Sequence, residues 1–203
     1  MGFRQIDVPL GIFTTHTGLV YLKKHHHLLK QLENVSDALA ISLGAAWSVA
    51  NVSKGSTVAI FGLGTVGLSV AQGAKIRGAS RIIGVDTNPE KKEKAKAFGV
   101  TDFINPNDID ETVQQAIKRL TDGGVDYSFE CIGDTEMINT ALHSFCDEWG
   151  VTVTLGVPKT NPNVACHYGL FLTGRTLKGS LFGGWKPKSD IPREGITTLV
   201  YKG

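Results

Sequence analysis

Thr57–Gly67, TVAIFGLGTVG, is the stretch on which the fold turns. Its first five residues are apolar or β-branched and predict a buried strand that runs into a glycine-rich turn and then a helix. Gly62, Gly64 and Gly67 fill the pattern G-x-G-x-x-G. The first glycine permits a tight turn, the second lets the backbone approach a pyrophosphate, and the third lets the helix pack close to the strand. A pyrophosphate would then rest on the free N–H groups and positive dipole end of the helix starting near Thr65. Gly62, Leu63, Gly64, Thr65, Val66 and Gly67 are therefore the candidate pyrophosphate contacts. Asp86 closes a second apolar run, RIIGVD (81–86), about 20 residues on, where an acid reads the adenosine ribose. Its carboxylate would accept hydrogen bonds from both ribose hydroxyls and repel a 2′-phosphate, which predicts NAD rather than NADP as cofactor.

Outward from this stretch, short apolar runs alternate with helical patterns. The runs are TVAIF (57–61), RIIGV (81–85), DFIN (102–105), VDYSFE (125–130), VTVTLG (151–156) and TLKGSLF (176–182). Between them, Val66–Arg77, Pro89–Phe98, Asp110–Leu120 and Thr135–Phe145 space apolar residues at three and four. Asn88 is the candidate N-cap of the second helix, with Pro89 in its first turn and Gly99 as its stop. The pattern predicts an α/β fold, a doubly wound parallel six-stranded dinucleotide-binding sheet of order 3-2-1-4-5-6, with the cofactor at the switch point. Residues 37–192 form this unit. Residues 1–36, including KKHHHLLKQLE, read as an atypical, irregular N-terminal segment, and 193–203 as a divergent tail.

Composition narrows the function classes. The chain of 203 residues has 21 Lys and Arg against 19 Asp and Glu, with the charges interspersed. That balance gives no support for a nucleic-acid partner. No apolar run approaches the roughly 18 residues of a membrane span. The N-terminus MGFRQI lacks the hydroxyl residue of a myristoylation site, and no secretory pattern is present. The three cysteines, Cys131, Cys146 and Cys166, include no C-x-x-C pair and suit free thiols in a reducing, cytoplasmic compartment.

From Leu43 to Pro192 the sequence closely resembles the zinc-type medium-chain alcohol dehydrogenases, particularly the plant alcohol dehydrogenase-like group. The resemblance rests on GAAWSVANVSKGSTVAIFGLGTVGLSVAQGAKIRGASRIIGVDTNPEKKEKAKAFGV, FECIG (129–133), TLGVP (154–158) and GRTLKGSLFGGWKPKSDIP (174–192). It implies a coenzyme-binding domain of an enzyme that oxidises small alcohols with NAD. It also implies site residues beyond the glycine turn. Lys91 would contact the same ribose as Asp86, and Ile132 would lie near the adenine-side cleft. Leu155, Gly156 and Val157 would line the nicotinamide end, and Phe182 would present its backbone to the carboxamide. Ile132 and Leu155 have a plainer alternative as core packing. A homodimer through the Thr176–Phe182 edge strand is a further implication.

Members of that family hold a catalytic zinc through two cysteines and a histidine, and a structural zinc through four cysteines. Those ligands are absent from this sequence, and Asp37 stands where one catalytic cysteine falls in the family pattern. No catalytic residue and no metal ligand is therefore assigned. His25, His26 and His27 are adjacent and diverge as a polar patch, and His16 reads as a loop residue. His143 and Cys146 read as a partly buried structural pair, Cys166–His167 as loop residues, and Cys131 as core. Two readings stand: the coenzyme half of an alcohol dehydrogenase-like oxidoreductase lacking its zinc site, or a non-catalytic NAD-binding fragment. A remote third is an adenosyl-methionine-dependent methyltransferase, disfavoured because TVAIF carries no acid.

Overall fold

The run TVAIF forms strand β1 (Thr57–Phe61), and its side chains alternate between two hydrophobic layers. Val58 and Ile60 enter one core, Ala59 and Phe61 the other, and all four are fully buried. A strand covered on both faces must be apolar throughout, as this one is. The structure is a computed structural model that describes residues 42–146, 149–160, 163–181 and 183–184. The N-terminal segment 1–36 and the tail 193–203 lie outside the described residues, as do His16, His25, His26, His27 and Asp37.

Five further strands follow: β2 (Arg81–Val85), β3 (Asp102–Ile104), β4 (Tyr127–Glu130), β5 (Gly150–Thr154) and β6 (Arg175–Gly179). They form one parallel sheet in the order β3-β2-β1-β4-β5-β6, the expected doubly wound arrangement. The crossovers carry α1 (Thr65–Ile76), α2 (Lys91–Ala97), α3 (Val113–Thr121), α4 (Thr135–His143) and a short α5 (Gly169–Leu172). Ala71 and Ala74 of α1 pack one face, together with Ala45 and Ala46 of a π-helical turn, Ala45–Val49. Ile117 of α3 and Leu142 of α4 pack the other.

Strand register positions the site. Ile104, Val85, Phe61, Glu130, Thr154 and Gly179 stand side by side in one row across the C-terminal edge of the sheet. One residue further, Gly62 N–H donates to Val85 O (2.8 Å) and Cys131 N–H to Phe61 O (2.9 Å). Leu155 N–H donates to Glu130 O (2.8 Å) and Asp86 N–H to Ile104 O (3.1 Å). The glycine turn, the acid after β2 and both loops beyond β4 and β5 thus leave the sheet from one line. Parallel α/β sheets bind ligands along this edge.

Several element bounds differ from the sequence expectation, each for a local reason. α3 starts at Val113 rather than Asp110 because Thr112 caps it. Thr112 Oγ1 accepts from Gln115 N–H (3.3 Å) while Gln115 Oε1 accepts from Thr112 N–H (2.9 Å), a closed capping box. Thr112→Ala should cost about 1 kcal/mol in a urea-denaturation experiment. α2 begins at Lys91, after a turn in which Asn88 Oδ1 accepts from Glu90 N–H (2.9 Å). β4 begins at Tyr127, and Val125 makes only an isolated bridge with Phe145. β5 covers Gly150–Thr154 because the N–H groups of Leu155 and Gly156 both turn onto Glu130 O. β6 covers Arg175–Gly179 rather than 176–182. The π-helical turn, the 3-10 turn Pro106–Asp108 and α5 have no counterpart in the predicted elements.

Candidate functional site

The turn after β1 has the shape its three glycines require. Gly62 has φ +88°, and a Cβ there would lie 2.6 Å from Ile132 Cγ1. A Cβ on Gly67 would lie 1.9 Å from Gly62 O, so α1 can approach the turn only with glycine at that position. Gly64 is the opposite case: its Cβ would meet no protein atom within 4 Å. It is the N-cap of α1, in extended conformation and with no side-chain capping hydrogen bond. The helix start therefore presents backbone N–H groups to an open space. Thr65 is exposed there, and Val66 is half-buried and faces the cleft.

Asp86 is buried at the end of β2 and is tied to the glycine turn. Its Oδ2 accepts from Leu63 N–H (2.7 Å) and from Lys91 Nζ (2.7 Å), and its Oδ1 from Asn88 N–H (3.0 Å). Burial opposes the charge on this carboxylate. The Lys91 ammonium and the two backbone donors outweigh it and hold the group below the ordinary aspartate range. An ionised carboxylate offers about four lone-pair positions. The protein fills three, leaving one on Oδ1 for an incoming hydroxyl. Leu63 has its side chain in the core and its N–H on Asp86, so it fixes the turn instead of offering a donor.

The second wall of the cleft comes from the loops after β4 and β5. Val66, Ile132, Gly133, Leu155, Gly156 and Val157 border a cavity of about 710 Å³. Ile132 is 52% exposed and Val157 71%, so neither is core. Leu155 packs partly on the α1-side core and also lines the cavity. The two loops touch through backbone: a Cβ on Gly156 would lie 1.9 Å from Gly133 N. Behind them lies Glu130, fully buried. Its Oε1 accepts from Ile132 N–H (2.7 Å), Gly133 N–H (2.7 Å) and Asp134 N–H (3.4 Å). Sequence reading missed this residue, although an acid closing an apolar strand was its available signal. Phe182, the remaining expected contact, lies outside the described residues.

The remaining candidates do not assemble into a reactive centre. Cys131 is half-buried, packs on the core and borders the cavity. Burial, with Glu130 beside it, pushes its thiol well above the usual cysteine range, which opposes a nucleophilic role. His143 is exposed, and Cys146 instead donates to Trp149 O (2.8 Å), so the expected structural pair does not form. His167 Nδ1 accepts from Gly169 N–H (3.2 Å) at the start of α5. Among the described residues no group of three or more His, Cys, Asp or Glu is placed to hold a metal ion. They do not fit a zinc, whereas the open cradle at Gly64 and the acid at Asp86 fit a dinucleotide.

The fold is a Rossmann-like α/β unit of the dehydrogenase type. A family pattern described as zinc-binding dehydrogenase matches residues 65–198. Alcohol dehydrogenase-like 6 of Arabidopsis thaliana is 68% identical over 158 residues, covering 78% of this chain and 42% of that protein. Among solved structures, benzyl alcohol dehydrogenase from Acinetobacter calcoaceticus superposes with TM-score 0.75 and 32% identity, over 82% of this chain and 45% of the other. A dehydrogenase-like protein from Sinorhizobium meliloti, solved with NADP, superposes with TM-score 0.68 and 25% identity, over 80% of this chain and 47% of the other. The chain belongs to the zinc-binding dehydrogenase family. It spans less than half the length of each of these relatives. No helix among the described residues is long and apolar enough to cross a membrane.

Proposed function

We propose that this chain binds NAD across the β1/β4 switch point, as the coenzyme half of an alcohol dehydrogenase-like oxidoreductase. The observation that carries the reading is the join between glycine turn and acid. Asp86 holds Leu63 N–H at 2.7 Å while Gly64 faces open space. The α1 N-terminus would hold the pyrophosphate, and Asp86 with Lys91 would hold the adenosine ribose. The dinucleotide would then run past Ile132 toward Leu155, Gly156 and Val157, which border the cavity. Bound NAD supplies a hydride acceptor for the alcohol carbon, and this chain's residues bind and orient it.

Purified protein titrated with NADH and NADPH, followed by nicotinamide fluorescence, tests the assignment. The expected result is saturable NADH binding with at least about a tenfold preference over NADPH, since buried Asp86 opposes a 2′-phosphate. Equal affinity for the two would remove Asp86 from the ribose site.

A second reading is binding without turnover, since the roles that the described cleft residues support are those of binding and positioning. Alcohol-dependent formation of NADH by the purified chain would overturn it. Self-association through β6 belongs to the same proposal. β6 ends the sheet, and Tyr168, Phe171, Leu172 and Leu181 leave large apolar side chains exposed around it. The three free cysteines suit a reducing cytoplasm.

A further inference from the structure

We infer that Glu130 is a positioning residue for the dinucleotide, its buried carboxylate holding the loops after β4 and β5 together as one wall of the cleft. This rests on the NAD reading and adds to it the residue that shapes the half of the site remote from Asp86.

A fully buried glutamate is unusual and requires compensation by donors. Here the donors are the backbone of a single turn: Ile132 and Gly133 N–H at 2.7 Å and Asp134 N–H at 3.4 Å, all on Oε1. The other oxygen, Oε2, faces Thr154 Oγ1 at 3.4 Å, on the last residue of β5. The Glu130 carbonyl accepts from Leu155 N–H (2.8 Å) and Gly156 N–H (3.1 Å). One residue thus gathers the start of both loops, its side chain holding the first and its main chain the second. Close backbone packing locks them further, since a Cβ on Gly133 would lie 2.6 Å from the Val157 carbonyl. Ile132 and Val157, both strongly exposed, are the side chains this arrangement presents to the cleft. Glu130 itself has no surface in the cleft, so it acts through them.

Distance makes the role separable from that of Asp86. Asp86 follows β2 and Leu155 follows β5, three strand intervals away, which is about 15 Å at the usual spacing. ADP engages Asp86 and the α1 N-terminus and meets only Ile132 of the wall, beside the glycine turn, whereas a dinucleotide reaches Leu155, Gly156 and Val157. Glu130→Asp keeps the carboxylate but falls one methylene short of the turn. Glu130→Gln keeps an acceptor oxygen at the original reach.

The experiment compares NADH and ADP affinities of both variants with wild type by calorimetry, alongside thermal melts. Glu130→Asp is expected to weaken NADH by about tenfold or more while ADP stays within about threefold, and Glu130→Gln to stay within about threefold for both. Equal loss of both ligands in Glu130→Asp would overturn the proposal. So would unchanged NADH affinity in Glu130→Asp, or a loss in Glu130→Gln as large as in Glu130→Asp. A wild-type chain that binds neither NADH nor ADP overturns the NAD reading itself. Amide hydrogen exchange on the wild type needs no variant. NADH should slow the Ile132, Gly133, Leu155 and Gly156 amides together, and ADP should leave the Leu155 and Gly156 amides unchanged. Slowing of only one pair by NADH would show that the loops are not one wall.

Discussion

Gly67→Ala should destabilise the protein by about 1–3 kcal/mol and abolish measurable NADH binding. Two effects oppose each other at this position. Alanine is the better helix former, by about 1 kcal/mol. The added methyl, however, would sit 1.9 Å from Gly62 O, and a backbone carbonyl cannot rotate away as a side-chain tip can. The clash wins, and relief comes only by moving α1 off the turn or opening the turn itself. Either movement displaces the N–H groups that would meet the pyrophosphate. Gly64→Ala is the control. With φ −77° and no protein atom within 4 Å of its Cβ, it should fold within about 0.5 kcal/mol of wild type. Its methyl would occupy the ligand's space and weaken NADH by at least about tenfold. Chemical denaturation and fluorescence titration of the two variants separate the effects. A Gly64→Ala protein that binds NADH normally would sink the cradle assignment.

Asp86→Ala should weaken NADH binding by about 1.5–3 kcal/mol, the value of a hydrogen bond to a charged group. The same change should narrow the preference over NADPH, because the repelling carboxylate is gone and Lys91 is left to pair with a 2′-phosphate. Stability should fall as well, since Leu63 N–H and Asn88 N–H lose their acceptor. The pH dependence has a definite sign. The folded-state pKa of Asp86 lies below its ordinary value of 3.8, so its stabilisation is present above that value. It is lost as pH falls through the lower, folded-state pKa. Denaturation curves for Asp86→Ala should therefore show less acid sensitivity than wild type in that range. A variant with unchanged NADH affinity would remove Asp86 from the ribose site.

Much of this architecture was readable because each signal was local. TVAIF and RIIGV gave β1 and β2 with their observed ends, since an apolar run closed by glycine or aspartate has little freedom in where it stops. Strand order followed from alternation with helices and the doubly wound dinucleotide-binding pattern that the glycine turn opens. The glycine turn and Asp86 were legible for the same reason, as spacing along one βαβ unit encodes their contact. Glu130 carried only a partial signal, an acid closing an apolar strand. Its meaning depends on Thr154 and Gly156, brought beside it by register between β4 and β5, and no local pattern reports that. The plainer reading of Ile132 as core failed similarly, because exposure of a residue just past a strand depends on which way its turn is pulled. The ends of β5 and β6 were overextended because the apolar character of VTVTLG and TLKGSLF outlasts their ladders.

The row of strand ends from Ile104 to Gly179 has a consequence for how binding competence arises. β1, β2 and β3 are consecutive in the chain, but the opposite flank of β1 is filled by β4, which enters only after α3. A chain folded through β3 would own the glycine turn and Asp86 yet have nothing across from them. Pairing β4 with β1 joins residues distant in sequence, the kind of contact that slows folding. The second wall therefore depends on long-range closure, the first on contacts nearer in sequence. Dinucleotide affinity, followed during refolding, would report when that closure is complete.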